Sequence, residues 1–288
     1  MAEHCTFLRN GSLSAIVGDD TPRGPGGQQY SGFWSLLHDT CQASPFQNSA
    51  SGLVAYTHRG TQPMLKPIDG KTAQLTCTSP DPLMTTRGTY TLSPPHYIDY
   101  RYDVVFESQS GNELPPCSSH GWCCYMNSPL DPSIHFIENN RWTTLTPHVH
   151  GAAATVLPAN LDASHHAEWE CRTGEDRFIQ QASFAESFSG HTFDYPFYYG
   201  LIHDMVFMIM ADCHRDFRFY ISPSGAGYSC IPGKTSPAWD LRWYIWDPKP
   251  KQQYTLNVRI MFCPIRRGKV SQQAWEAWDE FHHLKPPH

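Results

Sequence analysis

Apolar and polar residues alternate with a period of two along much of this chain. The alternation is clearest from Tyr97 to Glu107, where Ile98, Tyr100, Tyr102, Val104 and Phe106 are interleaved with Asp99, Arg101, Asp103, Val105 and Glu107. Successive side chains on a strand point to opposite faces, so this pattern predicts a strand with one face in a core and the other toward water or a cleft. Tyr254 to Phe262 repeats it, with Leu256, Val258, Ile260 and Phe262 set against Thr255, Asn257, Arg259 and Met261. The stretch Met205 to Ala211 is apolar on both faces and predicts a buried central strand. Asp212 to Asp216 then reads as a turn into a second strand, Phe217 to Ile221. Leu241 to Trp246 is a further strand, closed by Asp247-Pro248-Lys249-Pro250. Near the start, Asn10-Gly11 lies between two apolar runs and predicts a hairpin over Phe7 to Gly18, because both residues tolerate positive φ. A helix is expected only at the C-terminus, capped by Ser271 and carrying Trp275, Trp278 and Phe281 at helical spacing.

Composition agrees. The 288 residues include 24 prolines, 20 glycines and 13% aromatics, which suits many short strands joined by turns. The fold class expected is all-β: one large antiparallel β-sandwich domain over residues 1–288 with a short C-terminal helix. The formal net charge of −6, with no basic run beyond Arg266-Arg267, argues against nucleic acid as a partner. The longest apolar stretch is far short of the roughly 20 residues that cross a bilayer, so no membrane partner is expected. The first residues, Met-Ala-Glu-His-Cys, do not open like a secretory signal, and the expected location is cytoplasmic. The 10 cysteines are scattered, and most read as buried free thiols; Cys117, His120, Cys123 and Cys124 lack zinc-knuckle spacing.

Candidate chemistry centres on the 16 histidines. His148 and His150, two residues apart on a strand, would project from one face, a geometry suited to acid–base work or to metal ligation. Tyr125 and Asn127, and Glu186 with the following Tyr198 and Tyr199, bring amides, a carboxylate and tyrosines close to turns. Trp239 and Asp240, beside the Leu241 strand, are of the same types. Such residues recognise sugars: aromatic rings stack on the C–H face of a pyranose while amides and carboxylates take its hydroxyls. A small-molecule or oligosaccharide ligand is therefore the partner expected. The Ser222 to Tyr228 loop lacks the lysine and helix of a phosphate loop, and neither a nucleophile elbow, a helical zinc motif nor a dinucleotide fingerprint is present. No cofactor is called for.

The succession Asn10-Gly-Ser-Leu-Ser-Ala-Ile-Val-Gly18, Gly32-Phe-Trp-Ser-Leu-Leu-His38, Gly52-Leu-Val-Ala-Tyr56, Ser93-Pro-Pro-His-Tyr-Ile-Asp-Tyr100 and Tyr125-Met-Asn-Ser-Pro129 resembles uncharacterised bacterial proteins of the galactose mutarotase-like superfamily. The resemblance is spread over most of the chain. It implies a supersandwich, two large antiparallel sheets with a sugar site on a concave face, and activities such as aldose epimerisation or polysaccharide cleavage. In the epimerases of that superfamily, histidines and a glutamate open the pyranose ring. Carried onto this chain, that implies His148 or His150 as acid and Glu186 as base, with His96 as a substitute. Three readings follow: a sugar or uronic acid epimerase or lyase, a non-catalytic carbohydrate-binding protein, and a metal-dependent lyase or hydrolase using His148 and His150.

Overall fold

The computed structural model describes residues 4–20, 30–47, 52–55, 61–80, 83–107, 114–146, 148, 155–159, 161, 188–223 and 236–283. Strands are numbered β1 to β18 along the chain and fall into three sheets. The three-stranded sheet has the order β1 (Cys5–Asn10), β2 (Leu13–Gly18), β3 (Gly32–His38). A nine-stranded sheet runs β11 (Arg141–Leu145), β10 (Ile134–Glu138), β14 (Phe197–Ile202), β15 (Met205–Ala211), β18 (Gln253–Pro264), β8 (Tyr97–Phe106), β7 (Leu83–Ser93), β6 (Thr72–Pro80), β5 (Met64–Asp69). The six-stranded sheet runs β13 (Phe188–Phe193), β12 (Thr155–Pro158), β16 (Phe217–Ser222), β17 (Ala238–Trp246), β9 (Cys117–Cys123), β4 (Val54–Ala55). Pairing is antiparallel throughout except between β12 and β13. Helix α1 (Val270–His283) follows the last strand.

The two larger sheets pack face to face over one apolar core. Residues of β8 that alternate inward, Ile98, Tyr100, Tyr102, Val104 and Phe106, meet Trp122, Phe217, Phe219, Trp239, Leu241 and Trp243 from the six-stranded sheet. The Tyr102 ring meets Trp122 edge-on at 4.8 Å, and Phe136 meets Phe219 at 5.8 Å. Aromatic rings of this size supply most of the apolar area that such a core withdraws from water. β15 is buried along its whole length because its other face lies under α1, where Val206, Met208 and Met210 join Ala274, Ala277, Trp278 and Phe281. That explains a strand that is apolar on both faces.

Two local expectations are corrected. Asn10 is the last residue of β1, paired with Leu13, so the turn is Gly11-Ser12, with Gly11 at φ 56. The Asn10 side chain donates to the Leu92 carbonyl at 2.7 Å instead. Ser271 lies inside the first turn of α1 and not at its cap, and its hydroxyl is 3.2 Å from the Tyr199 hydroxyl.

Candidate functional site

The six-stranded sheet has two unlike faces, and the difference is written in its strands. In β16 the sequence is Phe-Arg-Phe-Tyr-Ile-Ser, and in β17 it is Ala-Trp-Asp-Leu-Arg-Trp-Tyr-Ile-Trp. Phe217, Phe219, Ile221, Trp239, Leu241, Trp243 and Ile245 point into the core between the sheets. The intervening residues, Arg218, Tyr220, Ser222, Asp240, Arg242 and Tyr244, therefore share the opposite face.

Register turns that face into a grid. Tyr220 stands directly across from Asp240 and from Thr155 of β12, Arg218 directly across from Arg242, and Tyr244 from Ser119 of β9. Two arginines opposite each other on neighbouring strands repel, and the packing separates them along the diagonals. The Arg218 guanidinium lies 5.3 Å from the Tyr244 ring centre, and that of Arg242 lies 5.1 Å from the Tyr220 ring centre. Asp240 fixes one edge by accepting the Cys124 backbone N–H at 2.8 Å. Trp246 donates its indole N–H to Asp216 at 3.0 Å, at the other end of the same face. Tyr125 and Tyr30 extend the face past β9, meeting edge-on at 5.8 Å beside Cys123 and Ala238. Burial pushes the Tyr220 and Tyr244 hydroxyls up, so both remain neutral donors at any physiological pH, and burial pulls the Arg218 guanidinium down from its ordinary value.

The residues expected from sequence are dispersed by this geometry. Asp240 and Tyr125 lie on the polar face. Trp239 is turned into the core: its ring covers Gly200 and its indole N–H donates to the Pro132 carbonyl at 3.0 Å. Tyr198 also points inward, crossing from β14 to donate to the carbonyls of Trp239 and Asp240 at 2.9 and 3.2 Å. Tyr199 lies on the outer face of the nine-stranded sheet, next to α1. Asn127 donates to the Ser44 carbonyl at 3.1 Å. Tyr198, Tyr199, Trp239 and Asn127 thus have places in the framework, and sequence reasoning grouped residues that the sheets point in different directions.

Of the acid–base group, His150 and Glu186 lie outside the described residues, and His148 is exposed. His96 sits in the turn between β7 and β8, with its ring 4.8 Å from that of Tyr97; burial, with His38 nearby, lowers its pKa. Its carbonyl accepts the Phe262 N–H, which places it with the nine-stranded sheet and apart from the polar face of the six-stranded one. A His–Glu pair does form elsewhere, between His191 of β13 and Glu138 of β10 at 2.9 Å. Glu138 also accepts the Thr192 N–H at 2.7 Å, so the pair ties an edge of one sheet to the other. Among the described residues no three His, Cys, Asp or Glu side chains are grouped as metal ligands. His120 faces the core between Ser118 and Tyr102, while Cys123 is on the other side of β9. Nor is any helix among the described residues long and apolar enough to cross a membrane.

Sequence reasoning missed Arg218, Tyr220, Arg242 and Tyr244. Their signal was present, as a polar series at every second position of two strands already recognised.

No protein-family model matches this chain, and no curated protein does. Among solved structures, a candidate aldose 1-epimerase from Escherichia coli K12 is similar at a TM-score of 0.49 and 11% identity, over 91% of this chain and 99% of that one. A heparinase III is similar at 0.47 and 8% identity, over 92% of this chain but 35% of the other. An aldose epimerase homologue from C. elegans gives 0.37 and 8%, over 92% and 82%.

Proposed function

We propose that this chain is a carbohydrate-directed protein whose ligand lies on the polar face of the six-stranded sheet. The observation that carries the reading is the contrast between the two faces of the same strands. A face used only for packing would be apolar, as the inner one is, whereas this one bears tyrosine rings, two guanidinium groups and a carboxylate in a fixed grid. A sugar suits groups of these kinds: aromatic ring faces stack on its C–H groups, and carboxylates and guanidinium groups such as those of Asp240 and Arg242 take its hydroxyls. Proton transfer is assigned to His148 or His150 as acid and Glu186 as base, the pair that ring-opening epimerisation or elimination requires.

Calorimetric titration with a panel of aldoses, uronic acids and short oligosaccharides tests the site. Tyr220→Ala and Asp240→Asn should each weaken binding tenfold or more, with the Trp142→Ala variant of the opposite sheet as control. Equal affinities in all variants would remove the ligand from this face. An anomerisation and elimination assay on the same panel tests the chemistry, with activity expected to collapse in His150→Ala and Glu186→Gln. Binding without turnover in the wild type would instead make this a carbohydrate-binding protein.

A further inference from the structure

The nine-stranded sheet ends on two unlike edges. At one, β5 carries Pro67, which has no N–H to offer, the charged Lys66 and Asp69, and a register shift between Pro67 and Asp69. Proline, charge and irregularity are devices that keep an edge strand from pairing with another chain. At the other edge, β11 reads Arg-Trp-Thr-Thr-Leu and pairs with β10 in unbroken register, with no proline and a single charge. Among the described residues nothing pairs with its outer side.

The hairpin decides which groups that edge offers. Asn139 and Asn140, at φ 52 and 59, form a two-residue turn, so the flanking pair Glu138 and Arg141 exchanges backbone hydrogen bonds, as do Phe136 and Thr143. The residues between them face the other way. On β10 the Ile137 carbonyl accordingly accepts the Asp194 N–H at 2.8 Å. On β11, Trp142 and Thr144 aim their N–H and C=O groups at the open edge. Both are exposed residues. The Trp142 ring rests on Phe197 and Tyr199, with ring centres 6.0 and 5.5 Å apart, and the Thr144 hydroxyl lies 2.9 Å from His135 Nδ1. The edge is therefore held in place within the single chain.

We propose that this edge is a dimer interface, in which β11 of a second copy pairs antiparallel with β11 about a two-fold axis at Thr143, so that the nine-stranded sheets of the two copies become continuous. Such a pairing needs a self-complementary strand. Centred on Thr143, it sets Trp142 of each copy opposite Thr144 of the other, and the outward N–H and C=O groups of these residues meet in hydrogen bonds. Charge agrees with it. Arg141, the one ionic side chain of the strand, falls opposite Leu145, and the two arginines stand at opposite ends of the pair, about 13 Å apart. The two indoles become diagonal neighbours on one face and cover apolar area that the single chain leaves in water. A peptide of unrelated sequence would meet the backbone groups alone, whereas tryptophan against threonine and arginine kept from arginine favour a second copy. The proposal is independent of the sugar reading.

Sedimentation velocity of the full chain over a concentration series reads the assembly, and amide exchange reads the edge. The wild type should dimerise with a Kd of about 10 µM or tighter. The Trp142 and Thr144 amides should slow tenfold or more as the dimer fills, while those of Arg141 and Thr143 are slow throughout. Thr144→Pro removes an outward N–H that no strand of the same chain uses, and Thr143→Lys sets two ammonium groups face to face on the axis. Each should weaken dimerisation tenfold or more, with the urea midpoint checking the fold. An equimolar mixture of Thr143→Lys and Thr143→Glu should then dimerise more tightly than either variant alone, a recovery that damage to the fold cannot produce. A wild type that stays monomeric to about 100 µM would overturn the proposal. A dimer left intact by Thr144→Pro and Thr143→Lys would place the interface elsewhere and overturn it as well. Should the variants not fold, the concentration dependence of the Trp142 and Thr144 amides in the wild type decides by itself.

Discussion

Trp239 tests how the two faces of β17 divide structure from recognition, because it is the neighbour of Asp240 in sequence and points the opposite way. Replacing it with Phe keeps an aromatic ring but removes the indole N–H and the second ring. Loss of the hydrogen bond to the Pro132 carbonyl, 3.0 Å away in a part-buried setting, costs about 1–3 kcal/mol once that carbonyl is left without its donor. The smaller ring withdraws packing from Gly200, whose Cα the indole covers, and from Phe207, with ring centres 6.3 Å apart, adding roughly 1 kcal/mol for lost apolar contact and residual void. The sum is about 2–4 kcal/mol, which lowers Tm by roughly 4–10 °C for a chain of this size. Urea and thermal denaturation measure that loss, and titration with a bound sugar measures recognition. The expected result is a destabilised protein whose affinity, measured well below the new Tm, stays within twofold of the wild type. Unchanged stability together with lost affinity would refute the assignment of this side chain to the core.

The other predictions concern the same framework. Gly200→Ala would place a Cβ 2.2 Å from Cη2 of Trp239, so it should destabilise by about 1–3 kcal/mol, and less when combined with Trp239→Phe than the two single costs added together. Burial pushes the His120 pKa down to about 3, whereas in the unfolded chain the ring takes a proton near its ordinary value of 6.5. The unfolded state therefore binds a proton that the folded state refuses, and stability should fall as pH drops from about 6.5 towards 3, by up to about 1.4 kcal/mol per unit. His120→Gln should flatten that dependence of the urea midpoint, and an unaltered slope would place the titrating group elsewhere. Tyr198→Phe removes the donor shared by the Trp239 and Asp240 carbonyls and should cost about 1 kcal/mol without changing the ligand preference, as read by the same denaturation and titration.

The strands were legible because burial of one face forces a period of two. The pattern of Tyr97 to Phe106 and of Gln253 to Pro264 depends on nothing but that constraint. The continuous apolar run of β15 was legible as buried, and the structure supplies its reason in α1. The site was harder to read because residue type does not say which face a side chain occupies. Tyr198 and Tyr199 are adjacent on one strand, as are Trp239 and Asp240, and adjacent residues cannot share a face. Applied to those pairs, the same alternation that located the strands would have divided them, and would have gathered Arg218, Tyr220, Arg242 and Tyr244. Which face belongs to the core was not recoverable, since Phe-Arg-Phe-Tyr reads equally as a half-exposed strand. The cap of α1 failed for a related reason: the Ser271 hydroxyl is used by Tyr199 of β14, a tertiary contact that no local pattern encodes.

A crystal structure of this chain soaked with the tightest-binding sugar of the titration panel tests the central claim most directly. The account predicts the pyranose on the polar face of the six-stranded sheet, with a ring or hydroxyl contact to Tyr220 and Asp240. A sugar seated instead on the other side of the molecule, for example against Trp142 of the nine-stranded sheet and Trp275 of α1, each 39% exposed, would contradict it.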